Sequence, residues 1–239
     1  MLRGLWALAV LIVSTTILGG ASIVVSLVKR ENEFTGWALR TWSRIMLAAT
    51  GARVEYDGLE QFRADLPYVF ISNHVSNVDI WALARELPPS ARFVAKQELR
   101  KVPVLGLTMA STGFVFVDRS NRARAIRSLE RAAERIRGGR PVVMFAEGTR
   151  SRDGRLQPFK KGPFHLALKA GVPIVPAAIS GSWGILKPRS LAVTPGTVRV
   201  RFFEPIDVAP WQPDDVNGLM GTVHAVIRRE LELTEDRTR

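Results

Sequence analysis

Hydrophobic positions divide the chain into an apolar beginning and a longer part in which short strand-like and helix-like runs alternate. No residue between Gly4 and Val28 is charged, and about 20 apolar residues are enough for a helix to cross a bilayer. A cleavable signal peptide is the main alternative, since Arg3 precedes the run and small residues at 19–21 resemble a cleavage site. The apolar run continues beyond the usual core of a signal peptide, which favours a membrane anchor.

A second N-terminal segment, residues 34–51, has the pattern of an amphipathic helix. Its apolar positions recur at helical spacing: Trp42, Ile45, Met46 and Ala49. Its more polar side comprises Arg40, Ser43, Arg44 and Leu47. Tryptophan and arginine on a short amphipathic helix suit the headgroup boundary of a membrane, whereas the alternative is an ordinary helix packed on the following domain. We predict an N-terminal two-helix membrane element over residues 1–50.

Beyond Gly51 the pattern changes to alternating strands and helices. Seven short runs rich in Val, Ile and Phe predict strands at 52–58, 68–72, 92–96, 113–118, 141–147, 172–179 and 197–204. Helical patterns lie near 76–87, 121–138, 160–170 and 213–232. The alternation predicts one α/β domain over residues 51–239, in which a sheet is flanked by helices and ligands bind near the strand ends.

Positive charge is concentrated in the middle of the chain. The net charge is +12, and residues 91–170 hold 18 Lys and Arg against 6 Asp and Glu. An anionic partner is one explanation: nucleic acid, phospholipid headgroups or a phosphorylated substrate. A general preference for arginine, at 27 Arg to 7 Lys, is the other. No aromatic residues interleave with the arginines of the 121–138 helix, which argues against nucleic acid and leaves anionic lipid or an acidic donor.

The stretch from Asn73 to Asp79 can be interpreted in two ways. A histidine can take a proton from an alcohol, and a carboxylate on its other ring nitrogen orients the ring; His74 and Asp79 could form such a pair. The chain has no cysteine, and Ser180 and Ser182 do not fit a G-x-S-x-G turn, so the substrate would supply the hydroxyl. Alternatively, Ser76 and Asp79 match the S-x-x-D form of a helix capping box. The spacing alone leaves both open.

Two further strand ends carry polar, turn-prone residues. Residues 145–151, FAEGTRS, follow a strand, and a turn there exposes backbone N–H groups beside Arg150, a bidentate donor suited to phosphate. Residues 113–119, GFVFVDR, also end in a charged pair. Three such strand ends indicate one pocket, which favours the catalytic interpretation of His74. A metal site is not indicated, because His165 and His224 are isolated in the sequence.

These residues resemble the glycerolipid acyltransferases, the family of bacterial 1-acyl-glycerol-3-phosphate acyltransferases. Residues 73–79 resemble the family's N-H-x-x-x-x-D block, 113–119 its second block, 145–151 its F-P-E-G-T-R-S block and 172–176 its fourth. The K-x-E-L…P…G run between the first two blocks is matched by Lys96, Glu98, Leu99, Pro103 and Gly106. One departure is Ala146, which stands where the family usually has proline. The resemblance implies a mixed, mostly parallel sheet.

The resemblance also implies roles for individual residues. His74 would take the proton from the acceptor hydroxyl while Asp79 orients its ring. Arg150, Lys96 and Arg119 would hold the acceptor's phosphate, and Glu147 and Gly148 would shape the glycerol site. Two further residues in the matched blocks, Gly113 and Thr149, are expected to bind substrate.

The implied reaction is transfer of a fatty acyl group from acyl-CoA or acyl carrier protein to the sn-2 hydroxyl of lysophosphatidate, which gives phosphatidate. The donor serves as co-substrate, and we expect no other cofactor, no metal and no nucleic-acid partner. The same chemistry on glycerol-3-phosphate, another lysophospholipid or a lyso-aminolipid is one alternative; a non-catalytic, membrane-tethered polyanion-binding protein is another. The expected location is the inner (cytoplasmic) membrane, with the catalytic domain facing the cytoplasm and membrane lipids as partners.

Overall fold

A computed structural model describes residues 1–29, 33–118 and 121–236. The helices are α1 (Leu2–Val28), α2 (Glu33–Thr50), α3 (Val78–Glu86), α4 (Leu105–Ser111), α5 (Arg122–Arg137), α6 (Gly162–Ala170), α7 (Ser182–Ile185) and α8 (Val216–Asp236). The strands are β1 (Ala52–Asp57), β2 (Val69–Ser72), β3 (Arg92–Lys96), β4 (Val115–Val117), β5 (Val142–Phe145), β6 (Ile174–Ser180) and β7 (Gly196–Phe202). All seven predicted strands form, whereas α4 and α7 are too short to have given a periodic pattern.

The strands make one sheet in the order β1-β7-β6-β2-β5-β3-β4. Every neighbouring pair is parallel except β6 and β7, which are antiparallel. The prediction of a mixed, mostly parallel sheet flanked by helices is confirmed. In β2, Val69, Phe70 and Ile71 are all buried, because helices cover both faces of a largely parallel sheet and leave no solvated side.

Each face of the sheet has its own core. Alternate residues of a strand point to opposite faces, so Val69 and Ile71 pack with α5, α6 and α8 while Phe70 packs with α2 and α3. The helix that follows β2 therefore lies on one face, and the helix that follows β5 lies on the other. This division determines where the candidate site is found.

The second N-terminal helix packs on the domain through a face that the sequence pattern assigned wrongly. Ser43 and Leu47, assigned to the polar side, are buried, and Ile45, assigned to the apolar side, is exposed. The reason is that α2 lies between α1 and α3 and buries two flanks instead of one. Met46 and Leu47 belong to the same core as Phe70.

The first helix fulfils the prediction of an apolar N-terminal segment. It is 27 residues long and the mean hydropathy of its most apolar 18-residue stretch is 2.3, and within the described ranges it is the one helix that is long and apolar enough to cross a membrane. Only 17% of its most apolar stretch is buried within the protein. Its exposed side carries large apolar side chains: Leu5, Trp6, Ile12, Val13, Ile17, Val24 and Leu27.

Candidate active site

The candidate site lies where β2 and β5 end side by side at the carboxyl edge of the sheet. Ser72 of β2 is paired with Phe145 of β5, so His74 and Glu147, each two residues further on, face one another. The chain then departs to opposite faces, into α3 after β2 and towards α6 after β5. Such a divergence opens a crevice at the strand ends, the usual ligand site of open α/β sheets.

The ring of His74 is hydrogen-bonded to the carboxylate of Asp79, as expected for a base and its orienting acid. His74 Nδ1 lies 2.8 Å from Asp79 Oδ2. Because the carboxylate accepts, we assign the hydrogen to Nδ1, which leaves Nε2 free to accept a proton. The same Oδ2 accepts from the backbone N–H groups of Val75 (2.7 Å) and Ser76 (2.8 Å). Asp79 therefore contacts both the backbone at the start of α3 and the imidazole, so the geometry is compatible with either interpretation of this stretch.

A serine from a distant part of the chain completes the environment of Asp79. Ser182, fully buried at the start of α7, donates its hydroxyl to Asp79 Oδ1. Both carboxylate oxygens thus accept hydrogen bonds, which fix the plane of the carboxylate. This contact could not be predicted from sequence spacing, since 103 residues separate the partners.

Stacking against an aromatic ring fixes the orientation of the imidazole. The rings of His74 and Phe145 lie 3.8 Å apart between centroids and are inclined by 11°. The side chain of His74 is only 12% exposed. With one face covered and Nδ1 bonded, the Nε2 edge is the chemically available part of the ring.

The residue before His74 joins the strand end to a neighbouring strand. The Asn73 side chain donates through Nδ2 to the carbonyl of Ile179 and accepts through Oδ1 from the N–H of the same residue, both at 2.8 Å. This pair of bonds mimics one rung of a β-ladder beyond the point where β2 ends. These bonds hold the backbone at position 73, and the backbone of the next residue, His74, is therefore anchored to the sheet.

Glu147 is a positioning residue in this geometry. Its side chain is 2% exposed, and Oε1 accepts from the backbone N–H of His74 at 2.7 Å. It is not among the residues that line the adjacent cavity. Burial raises the pKa of Glu147 to about 8, and hydrogen bonds from the backbone of His74 and Gln157 oppose the rise. The sequence analysis had placed this residue at the glycerol site.

Glu147 should make the protein less stable as the pH rises. Its pKa is higher in the folded state than in the unfolded chain, so the folded state binds more protons between about pH 4.5 and 8, and the free energy of unfolding falls across that window. We expect the Glu147→Gln variant to lose this contribution to the pH dependence of the free energy of unfolding. Thermal unfolding recorded from pH 5 to pH 8 would measure the difference. An equal pH dependence of stability in the variant and the wild type would contradict the raised pKa of Glu147. Glu60→Gln, at an exposed position, serves as the control.

A cavity of about 380 Å³ extends from His74 along the face of the sheet covered by α1, α2 and α4. It runs beside β3, from Lys96 at the carboxyl edge to Arg92 at the amino edge. Its walls are mainly apolar and include Leu18, Leu39, Ile80, Phe93, Leu105, Met109 and Phe114. The base therefore stands at one end of an elongated apolar space bounded by the N-terminal helices.

The far end of the cavity is lined by a partly buried arginine that was not among the predicted site residues. Arg92 donates to the carbonyl oxygens of Thr112 (2.6 Å) and Pro89 (2.7 Å) and to Thr35 Oγ1 (3.0 Å). Burial lowers the pKa of Arg92 to about 10. Its bonds tie α2 to β3 and to the loop before β4, so this end of the cavity is built from three separate segments.

Several residues predicted to bind substrate do meet at the cavity. Lys96, Gly148, Thr149 and Arg150 line it near His74. Arg150 Nη1 donates to Asn77 Oδ1 at 2.9 Å, which holds the guanidinium across the site. In the part of the chain that the structure describes, the backbone N–H groups of Thr149 and Arg150 donate to no protein acceptor. The turn therefore exposes backbone N–H groups beside Arg150, as predicted.

One other predicted residue, Gly113, is not part of the cavity wall. Gly113 stands between the cavity-lining residues Thr112 and Phe114 but is not itself part of the wall, and its carbonyl accepts from Arg135 Nη1. Its φ of 91° lies in the left-handed region that favours glycine, which gives the residue a backbone role. Arg119 lies outside the described residues.

The sequence profile of the Acyltransferase family matches residues 53–180, more than half of the chain, and the chain belongs to this family. The match begins in β1 and ends with the last residue of β6, so it includes His74, Asp79 and the turn at 147–150.

Relatives from other organisms agree with this assignment. The chain is 36% identical over 199 residues to a 1-acyl-sn-glycerol-3-phosphate acyltransferase of Saccharomyces cerevisiae, an alignment that covers 82% of this chain and 65% of the yeast protein. It is 34% identical over 189 residues to the alpha form of that enzyme in Mus musculus, covering 78% and 66%. The chain thus spans about two thirds of the length of these relatives.

A solved structure matches almost the whole chain. The crystal structure of the 1-acyl-sn-glycerophosphate (LPA) acyltransferase PlsC from Thermotoga maritima superposes with a TM-score of 0.85 at 27% identity. The match covers 98% of this chain and 95% of the other. The N-terminal helices are therefore included in the structural similarity.

Proposed function

We propose that this protein is a membrane-associated O-acyltransferase that transfers a fatty acyl group from acyl-CoA or acyl carrier protein to the sn-2 hydroxyl of lysophosphatidate. The observation that carries the proposal is the His74–Asp79 pair at the end of an elongated apolar cavity. Among the described residues, no side-chain hydroxyl is hydrogen-bonded to the ring of His74, which suits a substrate that brings its own hydroxyl. The names of the relatives support lysophosphatidate as that substrate.

The reaction follows from the free edge of His74. Nε2 takes the proton of the acceptor hydroxyl as its oxygen attacks the carbonyl carbon of the thioester. Asp79 stabilises the resulting imidazolium through Nδ1. When the tetrahedral intermediate collapses, the carbon–sulfur bond breaks and the departing thiolate takes the proton from Nε2. The ester is formed and the base is restored, so no other reactant is required.

The apolar cavity suits an acyl chain. Its volume falls in the range of roughly 300–1,000 Å³ that is common for ligand pockets. Its walls remove methylene groups from water, at about 0.8 kcal/mol for each one buried. A chain lying along β3 would have its reactive end beside His74, where the carbonyl carbon must be.

The charged group of the acceptor is proposed to lie at the turn after β5. Arg150 is held by Asn77 in an orientation that leaves its remaining N–H groups free for phosphate oxygens. The N–H groups of Thr149 and Arg150 add donors of the kind found in anion-binding turns, and Lys96 adds a second positive charge. The predicted role of Arg119 in the same task stays a prediction.

The exposed apolar side of α1 supports attachment to a membrane, where lysophosphatidate and phosphatidate both reside. We propose the inner (cytoplasmic) membrane as the location, with the catalytic domain on the cytoplasmic side. This orientation gives the soluble, anionic donor access to the site. The central block of positive charge would favour the approach of such a donor.

The proposed reaction is tested by incubating membranes that contain the protein with lysophosphatidate and labelled acyl-CoA or acyl carrier protein. Labelled phosphatidate is the expected product. If glycerol-3-phosphate, another lysophospholipid or a lyso-aminolipid is labelled instead, the acyl-transfer reaction is retained but lysophosphatidate is refuted as the acceptor. If no acyl group is transferred to any of these acceptors, the proposal that the protein is an acyltransferase is refuted.

Replacement of Arg150 by alanine should raise the KM for lysophosphatidate by roughly tenfold or more, since hydrogen bonds to charged groups contribute about 1.5–3 kcal/mol. The KM for the acyl donor should change much less. Arg152→Ala is the matched control, because that arginine is exposed in the same loop and lies outside the cavity wall. An unchanged KM for lysophosphatidate in the Arg150 variant would remove the residue from phosphate binding.

A further inference from the structure

The segment 97–111, which joins β3 to β4, contributes to the cavity wall through its inner side. It consists of a 3-10 turn (Gln97–Lys101), a short connection and α4. Four of its side chains line the cavity: Leu99, Leu105, Thr108 and Met109. The segment therefore separates the apolar cavity from whatever lies outside it.

The outer side of the same segment is unusually apolar for a protein surface. Leu107 is 64% exposed and Val102 is 41% exposed, and Leu99 reaches the surface as well as the cavity. Two exposed cations, Arg100 and Lys101, stand beside them. Apolar side chains flanked by lysine and arginine are typical of elements that lie at the boundary between lipid chains and headgroups.

This surface belongs to a segment that packs directly against α1. The two helices pack closely, since a Cβ added at Gly19 would lie 2.6 Å from Thr108 Oγ1 and 3.4 Å from Val104 Cγ1. Apolar side chains of α1 such as Ile12 and Ile17 are exposed in the same way as Leu107. Two neighbouring helices therefore both expose large apolar side chains in the part of the chain that the structure describes.

We propose that the segment 97–111 lies in the phospholipid surface alongside α1, with Leu107 and Val102 among the acyl chains and Arg100 and Lys101 at anionic headgroups. The inference rests on one part of the proposed function, which is that α1 contacts lipid. Its consequence is that a single layer of protein separates the cavity from the bilayer. An acyl chain can then pass between membrane and cavity along this segment without crossing water.

The absence of cysteine from the chain allows a direct test. In the full-length protein, Leu107→Cys is labelled with an environment-sensitive fluorophore and reconstituted into vesicles of phosphatidylcholine and phosphatidylglycerol. Lipids that carry a spin label on the acyl chain should quench most of the emission, and the emission maximum should shift to shorter wavelength. Val102→Cys should give the same result. Leu233→Cys on α8, an exposed apolar position on the other face of the sheet, should keep its emission.

Labelled Ile12→Cys on α1 separates this inference from the anchoring of α1. If the probe at position 12 is quenched and those at 107 and 102 behave like the probe at 233, the inference is overturned while α1 remains in lipid. If none is quenched, both are overturned. Quenching at 12, 107 and 102 together, with none at 233, supports the inference whatever acceptor the enzyme uses.

Discussion

Replacement of His74 by alanine is expected to lower kcat by about 10²- to 10⁴-fold, the usual contribution of a positioned general base. The acceptor hydroxyl is a weak nucleophile until its proton is removed, and the free Nε2 edge of His74 is the group placed to remove it. The KM values for both substrates should change much less, because the imidazole meets the proton being transferred and not the acyl chain or the phosphate. Initial rates with labelled acyl-CoA and lysophosphatidate would measure both constants.

His165→Ala is the matched control for this experiment. His165 is exposed on α6 and lies outside the cavity wall, so its replacement should leave kcat unchanged. A His74→Ala protein that retains wild-type kcat would refute the proposed mechanism. Thermal unfolding of the variant should be recorded alongside, since removal of the ring leaves the stacked face of Phe145 uncovered.

Replacement of Asp79 by asparagine is expected to lower kcat by an amount on the order of 10⁴, as the equivalent change does in a serine protease triad. Asparagine has nearly the same shape, and its carbonyl oxygen can still accept from the N–H groups of Val75 and Ser76. What it lacks is the negative charge that stabilises the imidazolium and selects the tautomer with hydrogen on Nδ1. The helix start should therefore survive while proton transfer fails.

Asp65→Asn provides the control, since Asp65 is an exposed carboxylate paired with Arg63 at 2.7 Å and is remote from the cavity. Equal melting temperatures for Asp79→Asn and the wild type, with a large fall in kcat, would separate the electrostatic role from the structural one. Wild-type kcat in the Asp79 variant would show that the carboxylate only caps the helix. The initial-rate assay used for His74 measures kcat, and thermal unfolding gives the melting temperatures.

Local signals in the sequence were sufficient for the strands and for the central pair of residues. A strand that is buried on both faces is a run of Val, Ile and Phe, and such runs marked all seven strands. His74 and Asp79 are five positions apart, so their contact needs only one turn of chain. The turn at 148–150 was also predictable, because its glycine and its arginine are only two positions apart in the sequence.

Contacts that depend on strand order could not be predicted from the sequence. Ser182 meets Asp79 only because β6 lies beside β2, and Phe145 stacks on His74 only because β5 lies on the other side. Glu147 was assigned to the substrate, although the pairing of Ser72 with Phe145 turns its carboxylate towards the backbone of His74. The burial of Ser43 and Leu47 likewise depends on α2 having two neighbours, which a single helical period does not reveal.

The position of α1 and α2 along the cavity limits how this enzyme can be made soluble. The two helices look like a detachable anchor in the sequence, yet Leu18 and Leu39 form part of the wall that faces Phe93. Deletion of residues 1–50 would open that wall to water along the length of the proposed acyl-chain path. Solubility gained by truncation would therefore come with an altered substrate-binding surface, so biochemical work on this chain calls for detergent or lipid nanodiscs and the full-length protein.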